Sequence, residues 1–309
     1  MLNILICGAT GFIGRNLVNV FSKNKVYKIH AIKHNKDIFE VPNSYNKIIW
    51  HNADLRNIDD VSSVLKNIDI VIQAAATSSG SEDIVNRPYL HVTDNAIMNS
   101  LLLRKAMESE IKHFIFFSCT VMYQSSNKAI KESDLDANQK FHDKYFGIAN
   151  TKLYIEKMLE FYSRISPMKT TAIRHSNIYG PYDKFDLKKN HVFGATISKA
   201  LTLDKKCVIW GSGEEKRDLL HIDDLINFVD KIIENQTRDF RIYNCGSSES
   251  ISINSLVEKV IKAAKKNLNV EHDLDKPTIK TNLHLDCELA YHELGWKPKI
   301  NLDEGIKRT

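Results

Sequence analysis

Three glycines near the amino terminus have a spacing that could bind phosphate. Gly8, Gly11 and Gly14 follow an apolar run at residues 2–7 and begin an amphipathic helical pattern. Glycine permits a tight turn and lets backbone N–H groups approach a pyrophosphate at the positive end of a helix. The alternative is a packing turn without a ligand, but the strand–turn–helix context favours a dinucleotide-binding turn.

Basic residues surround the position that distinguishes the two nicotinamide dinucleotides. Lys33 and Lys36 follow the second apolar run, residues 28–32, and Arg15 directly follows the glycine turn. NAD sites usually place Asp or Glu at this strand end to bind the ribose 2′-hydroxyl, whereas these cations could pair with a 2′-phosphate. We therefore favour NADP(H) over NAD(H). Two points weigh against this preference: both lysines could be solvated loop residues, and Asp37 is close enough to weaken the argument.

The elements that must position these residues alternate along the chain. Strands are predicted at residues 2–7, 28–32, 47–50, 68–74, 114–118 and 170–173, and helices at 14–22, 92–109, 150–164, 223–234 and 255–266, with a loop-rich stretch at 177–218. Ile- and Val-rich strands separated by helices predict an α/β fold with a Rossmann-type doubly wound parallel sheet. We expect a dinucleotide-binding domain at 1–175, with a return segment near 219–245, and a smaller substrate-binding lobe mainly at 176–309.

Composition narrows the class of protein. The 309 residues are 43% hydrophobic and 26% charged, with a mean hydropathy of −0.31, which is typical of a globular chain and excludes disorder, collagen and coiled coil. The longest apolar runs are far shorter than the roughly 18 residues of a membrane helix, and no leader precedes the first strand, so we expect a cytoplasmic protein without a membrane partner. A net charge of +5 without basic runs suits an anionic small molecule rather than nucleic acid. Five scattered cysteines indicate reduced thiols and no metal site.

Several motifs, in a consistent order, resemble one family over essentially the whole chain. They are the glycine turn, Asp54-Leu55, Ala74-Ala75-Ala76, and the segments at 174–181, 217–224, 244–246 and 294–298. This set resembles the extended short-chain dehydrogenase/reductases, which include nucleotide-sugar epimerases, dehydratases and reductases. Residues 190–192 and 210–213 are most similar to the GDP-fucose synthase group and neighbouring 4-keto-6-deoxysugar reductases.

The resemblance implies a cofactor site and a nucleotide-sugar site. With the glycine turn and its cations, it assigns to the cofactor Gly8, Thr10, Gly11, Phe12, Ile13, Gly14, Arg15, Lys33, Asp54, Leu55, Ala74, Ala75 and Lys152. It assigns to the substrate Ser118, Asn177, His191 and Arg217, with Arg217, and Arg174 nearby, at the diphosphate. The planar donor fork of arginine suits phosphate oxygens. The alternatives are an ion pair of Arg217 with Asp218 or Glu215, and a loop histidine without a role at 191.

The catalytic pair of the family departs from its usual pattern here. The family places a Tyr four residues before a Lys whose charge lowers the Tyr pKa for proton exchange. Lys152 matches, but Ile148 occupies the Tyr position. Tyr145 lies seven residues before Lys152, about 10.5 Å along an unbroken helix. We favour a helix start broken or widened at Gly147, which would bring Tyr145 into the active position; a packing Tyr145, or a site that has lost its acid, are the alternatives.

The residues at the end of the fifth strand also differ from the pattern of the family. Alignment on Tyr123 places Cys119 where the family has Ser or Thr, and a shift of one residue would let Thr120 supply the hydroxyl, which we favour over Ser118. The GDP-fucose synthase group carries an epimerising Cys two residues beyond its Ser, where this chain has Val121, and dehydratases carry an Asp-Glu pair after their Thr. Epimerisation at C3/C5 and 4,6-dehydration are therefore disfavoured.

The resemblance thus predicts an NAD(P)-dependent oxidoreductase that reduces the 4-keto group of a nucleoside-diphosphate 4-keto-6-deoxyhexose. The best match is a dTDP-4-dehydro-6-deoxyglucose reductase giving a dTDP-6-deoxyhexose such as dTDP-fucose, in surface-polysaccharide or O-antigen synthesis. The alternatives are a nucleotide-sugar C4-epimerase, a GDP-4-keto-6-deoxymannose epimerase/reductase, and a non-catalytic dinucleotide-binding protein. We expect a homodimer.

Overall fold

A computed structural model describes residues 1–77, 87, 89–183, 192–203, 205–276 and 281–309. Seven strands form its central sheet: β1 (Leu2–Cys7), β2 (Tyr27–Lys33), β3 (Ile49–Asn52), β4 (Ile70–Gln73), β5 (His113–Phe117), β6 (Lys169–His175) and β11 (Phe240–Cys245). Their spatial order is β11-β6-β5-β4-β1-β2-β3, and every neighbouring pair is parallel. The order reverses between β1 and β4, where doubly wound sheets bind ligands beyond the carboxyl ends of their strands.

Helices cover both faces of this sheet. They are α1 (Phe12–Phe21), α2 (Ile58–Val64), α3 (Tyr89–Glu108), α4 (Phe146–Ile165) and α6 (Ile222–Asn235). Because side chains alternate along a strand, Ile4 and Ile6 of β1 join the core on the α1 and α6 side, while Leu5 and Cys7 join the opposite core. All four are fully buried. The near-continuous apolar strands in the sequence therefore reflect a sheet buried on two faces.

The remaining elements belong mostly to the carboxyl-terminal half. They are β7 (Asn177–Tyr179), α5 (Val192–Thr202), β8 (Lys206–Trp210), β9 (Lys216–Arg217), β10 (Leu219–His221), β12 (Ile251–Ser252), α7 (Ile253–Ala263), β13 (Asn269–Asp273), α8 (Glu288–Leu294) and α9 (Leu302–Arg308). Three small sheets pair β7 with β10, β8 with β13, and β9 with β12. A small core of α5, α7 and α9 packs around Tyr179 and Leu219.

Two sequence expectations about secondary structure were wrong. The stretch at 177–218 contains α5 and strands β7, β8 and β9, because buried Phe193, Ile197 and Ala200 give α5 an apolar face against Leu256. Helix α4 begins at Phe146 and not near residue 150. Within the described ranges, no helix has the length and apolar character needed to cross a bilayer.

Candidate functional site

The glycine turn joins β1 to α1 with almost no space around it. Gly8 has φ +69°, and a Cβ at this position would lie 2.7 Å from the Cα of Ala75. A Cβ on Gly14 would lie 2.1 Å from the carbonyl oxygen of Gly8. Gly11 is the N-cap of α1, and no side chain caps this helix end. A helix start held this closely, with its end left uncapped by side chains, is suited to an anionic group.

A pocket of about 440 Å³ lies beside this turn. Its lining includes Thr10, Gly11, Phe12, Arg15, Lys36, Asp37, Phe39 and Tyr182. Lys33 and Ile13 are outside this lining: Lys33 ends β2, where its carbonyl accepts from the N–H of Ala53, and Ile13 packs on the core. The pocket thus brings Arg15 and Lys36 together with Asp37.

The other sequence-predicted cofactor residues lie at neighbouring strand ends. Leu55 is buried in the core, and the carboxylate of Asp54 accepts two hydrogen bonds from the Arg56 guanidinium, at 3.0 and 2.8 Å. These bonds lower the pKa of Asp54 to about 2. Ala75 donates its N–H to the side chain of Gln73 at 3.1 Å. Arg56 was not predicted as a partner of Asp54. The only signal for it in the sequence is a basic residue two positions after Asp54.

At the end of β5, Lys152 reaches a point next to Cys119. Its Nζ donates to the carbonyl oxygen of Phe117 at 2.7 Å and lies 4.5 Å from the centre of the Phe116 ring. Burial lowers the pKa of Lys152, while Cys119 and Glu156 oppose this shift. Burial raises the pKa of the Cys119 thiol, against which the charge of Lys152 acts. Cys119 and Lys152 therefore interact electrostatically.

Tyr145 reaches the same region from outside the helix. It ends a short 3₁₀ turn, Asp143–Tyr145, and is the N-cap of α4. Burial raises the pKa of its hydroxyl; the charge of Arg217 lowers it and Cys119 raises it. Cys119 thus interacts electrostatically with both Tyr145 and Lys152.

The expected helix break at Gly147 was wrong. Gly147 lies inside α4, and its carbonyl accepts the hydroxyl of Thr151 at 2.8 Å, one helical turn later. A Cβ on Gly147 would lie 2.7 Å from Cγ2 of Val92, so glycine lets α3 approach α4 here. Tyr145 therefore comes near Cys119 through the 3₁₀ turn before the helix.

Ser118 and Arg174 belong to a buried hydrogen-bond network. Ser118 is 1% exposed and donates to Oε1 of Glu156 at 2.6 Å. Arg174 is 3% exposed and donates to both Glu156 oxygens, at 3.1 and 2.7 Å, and to the Tyr123 hydroxyl at 2.9 Å. The predicted contact of Ser118 with substrate and the predicted place of Arg174 near a diphosphate stay predictions, and both side chains are hydrogen-bonded to Glu156 in this structure. Thr120, two residues beyond Ser118, is partly exposed.

The predicted sugar-nucleotide residues Asn177 and Arg217 lie on strands of two different small sheets. Asn177, on β7, donates its side-chain and backbone N–H groups to the carbonyl oxygen of Asp218. Arg217, on β9, donates to the carbonyl oxygens of Lys216 and Thr281, and burial lowers its pKa. The carboxylate of Asp218 accepts from Ser247 and Leu285. His191 lies outside the described residues.

The part of the chain that the structure describes contains no cluster of side chains suited to bind a metal ion. Within those ranges, no three His, Cys, Asp or Glu side chains are grouped closely enough to hold an ion. All five cysteines are free thiols, and Cys119 is the one that is not buried.

The parallel, doubly wound sheet is of the Rossmann type. Residues 4–246 match the model of the NAD dependent epimerase/dehydratase family, and the chain belongs to that family. The predicted fold and the resemblance to extended short-chain dehydrogenase/reductases are confirmed.

Individual relatives resemble the chain over nearly its full length. The GDP-L-colitose synthase of Yersinia pseudotuberculosis is 26% identical over 315 residues, which cover 100% of this chain and 96% of the relative. The dTDP-4-dehydro-6-deoxyglucose reductase of Escherichia coli is 26% identical over 318 residues, which cover 99% and 95%. A solved UDP-glucose 4-epimerase with UDP-glucose, from Thermotoga maritima, has a TM-score of 0.87 at 24% identity, covers 100% and 97%, and supports the fold alone. The chain is therefore an enzyme of the epimerase/reductase type.

Proposed function

We propose that this enzyme uses NAD(P)H to reduce the 4-keto group of a nucleoside-diphosphate 4-keto-6-deoxyhexose. The best candidate substrate is dTDP-4-dehydro-6-deoxyglucose, reduced to a dTDP-6-deoxyhexose such as dTDP-fucose. One observation carries the proposal: Lys152 donates from Nζ to the carbonyl oxygen of Phe117 at 2.7 Å at the end of β5, and Tyr145, the N-cap of α4, lies within electrostatic range of Cys119 just beyond that strand. A proton donor and a cation therefore converge at one strand end, as ketone reduction requires. The names of the two curated relatives support a nucleotide-sugar substrate.

The residues divide the chemistry between them. Tyr145 donates a proton to the C4 oxygen; burial raises the pKa of its hydroxyl, and the charge of Arg217 opposes that shift. The charge of Arg217 stabilises the tyrosinate that forms and also attracts the diphosphate. Lys152 stabilises negative charge developing on the oxygen, and Thr120 donates a hydrogen bond to it. NAD(P)H, when bound, would supply the hydride that turns the ketone into an alcohol and would itself be oxidised to NAD(P)⁺.

Residues 120–122 favour simple reduction over the neighbouring reactions of the family. Val121 has no group that can remove a proton from carbon, and Thr120, Val121 and Met122 include no carboxylate. Epimerisation at C3 or C5 and dehydration both need such a base. Hydride transfer at C4 needs only the donor and the cation described above.

The pocket beside the glycine turn supports NADP(H). Arg15 and Lys36 line it, and Nε of Arg15 is buried without a hydrogen-bond partner among the described residues. A phosphate oxygen would satisfy this donor, so the residues fit a 2′-phosphate. Asp37 lines the same pocket and would instead suit the ribose hydroxyl of NAD. Asp54 and Ala75 are proposed to contact the rest of the cofactor.

We place the enzyme in the cytoplasm, where NAD(P)H is generated and where its five free thiols stay reduced. The smaller lobe, with Asn177 and Arg217, is proposed to hold the sugar nucleotide. The product would serve as a glycosyl donor for surface polysaccharide such as O-antigen. This last step is tested by adding a matching glycosyltransferase to the completed reaction and analysing whether the 6-deoxyhexose is transferred.

An apolar face on two helices supports a homodimer. Ile97 on α3 and Tyr154 and Phe161 on α4 are 42%, 48% and 54% exposed, and the two helices pack side by side. Covering this face with a second copy would remove apolar surface from water. Light scattering tests it: Phe161→Glu is expected to give monomers, and Leu274→Glu, at a 73% exposed site elsewhere, is expected to leave the dimer. A monomeric wild-type protein would contradict the dimer.

The direct test of the activity incubates the chain with dTDP- or GDP-linked 4-keto-6-deoxysugars and NADPH or NADH. We expect stoichiometric loss of the reduced cofactor and a 4-hydroxy product identified by NMR. A C4-epimerase would interconvert sugars without net loss of cofactor, and a non-catalytic protein would bind cofactor without turnover. Lys152→Ala should abolish turnover, whereas Lys157→Ala, in a surface ion pair on the same helix, should not.

A further inference from the structure

The guanidinium of Arg15 is in cation–π contact with two aromatic rings. Its Cζ is 4.6 Å from the centre of the Phe39 ring and 4.2 Å from the centre of the Tyr182 ring. The three residues come from separate parts of the chain: α1, the segment after β2, and the loop after β7. All three line the pocket beside the glycine turn.

The Tyr182 loop is fixed to α1 without help from the Tyr182 side chain. Asn16, which is 6% exposed, donates its side-chain N–H groups to the carbonyl oxygens of Phe12 and Pro181, both at 3.0 Å. Tyr182 itself has φ +69°, in the left-handed region that non-glycine residues seldom occupy. Asp183 closes the turn by donating its N–H to the carbonyl oxygen of Gly180. The backbone thus holds the Tyr182 ring over Arg15.

The cation–π contacts with the two rings use no N–H group of Arg15, which leaves its guanidinium donors for hydrogen bonds. The N–H groups of arginine lie in its plane, in a fork that matches two phosphate oxygens. One of them, Nε, is buried and has no partner in the described part of the chain. A buried donor without a partner costs free energy, which a bound anion would recover.

We propose that Tyr182 and Phe39 are positioning residues that hold Arg15 for the 2′-phosphate of NADP(H). The inference rests on the proposed function, in which Arg15 binds this phosphate, and it adds a specificity determinant on the loop after β7. An arginine side chain loses much rotamer freedom when it is ordered. The two rings order the Arg15 side chain before the cofactor binds. Phosphate binding therefore does not carry the entropy cost of ordering it.

Binding of two small probes isolates the phosphate. 2′,5′-ADP carries the 2′-phosphate and 5′-AMP does not, and calorimetry on the full-length chain gives both affinities without catalysis. We expect the wild-type chain to prefer 2′,5′-ADP. Tyr182→Leu should reduce that preference about 3- to 30-fold by removing one stacking ring, with little change in 5′-AMP binding. Tyr182→Phe keeps a ring and should keep the preference.

Phe39→Leu provides the second, independent variant, because Phe39 lies on a different segment. The same loss of preference is expected, and KM for NADPH should rise more than KM for NADH in both leucine variants. If both leucine variants fold and keep the wild-type preference while Arg15→Ala loses it, the positioning role is wrong and the phosphate role of Arg15 stands. If the wild-type chain shows no preference for 2′,5′-ADP, the NADP(H) assignment and this inference both fall, while reduction with NADH remains testable.

Discussion

Arg174 donates to both carboxylate oxygens of Glu156, and both side chains are almost completely buried. Ser118, directly after β5, donates to the same carboxylate. The pair therefore ties α4 to β5 and β6, the elements that also carry Lys152 and the residues leading to Cys119. The positions of Lys152 and Cys119 therefore depend on a buried ion pair.

Removing one partner of this pair should be costly. Glu156→Ala leaves the Arg174 guanidinium buried without its counterion, and we expect the free energy of unfolding to fall by about 3–5 kcal/mol. Urea denaturation measures it. Glu160→Ala breaks exposed pairs with Lys157 and Arg164 on the same helix and should cost under about 1 kcal/mol. Equal losses in the two variants would show that the buried pair has no special role.

Tyr145→Phe tests the proton donor. Removing one hydroxyl should lower kcat about 100- to 10,000-fold, because no general acid then protonates the C4 oxygen. Tyr162→Phe, on α4 away from Cys119, is the matched control and should retain wild-type turnover. Steady-state rates with NADPH and the keto-sugar decide it. Unchanged turnover in Tyr145→Phe would show that Tyr145 only packs and is not the proton donor.

Acid should destabilise the chain through His30. Burial, and then the charges of His51 and Lys28, lower the pKa of His30 from 6.5 to about 4. Between these pH values the unfolded chain binds more protons than the folded chain, so stability falls as pH drops through this window. His30 is 9% exposed, and we expect it to contribute a loss of about 2–3 kcal/mol.

His113 acts with the same sign, since burial lowers its pKa to about 3, so a variant must isolate His30. Urea denaturation of wild type and His30→Gln at pH 7 and at the acid end of the window measures the difference. The stability of His30→Gln should depend less on pH. His292→Gln, at an exposed site, should keep the wild-type dependence. Parallel profiles for wild type and His30→Gln would contradict the role of His30.

Gly14→Ala should disrupt the glycine turn. Its Cβ would meet the Gly8 carbonyl oxygen at 2.1 Å, so the backbone must move, and we expect a loss of about 3 kcal/mol or more together with weaker nucleotide binding. Gly295→Ala separates this clash from backbone strain. Gly295 has φ +67° and no atom within 4 Å of its Cβ position, so alanine should cost about 1–2 kcal/mol there and leave nucleotide binding unchanged. Thermal unfolding with calorimetric titration of NADPH measures both effects.

The sequence predicted the sheet well, because the apolar strands and the glycine spacing are local patterns. It predicted neither the 3₁₀ turn that carries Tyr145 nor the burial of Ser118, since both depend on packing between α4 and β5. The stacking of Tyr182 on Arg15 joins residues from opposite halves of the chain, and no periodicity links them. Helix α5 was not predicted, because its apolar face can be recognised only from its packing against α7 in the structure.

Four of the five cysteines are buried, and Cys119 alone is partly exposed. A molecule that oxidises or alkylates thiols therefore meets this chain first beside Lys152, and the raised pKa of Cys119 slows that encounter at neutral pH. Such a reagent would therefore block the proposed catalytic site while the protein stays folded. It would reach the buried cysteines, on which packing depends, only later.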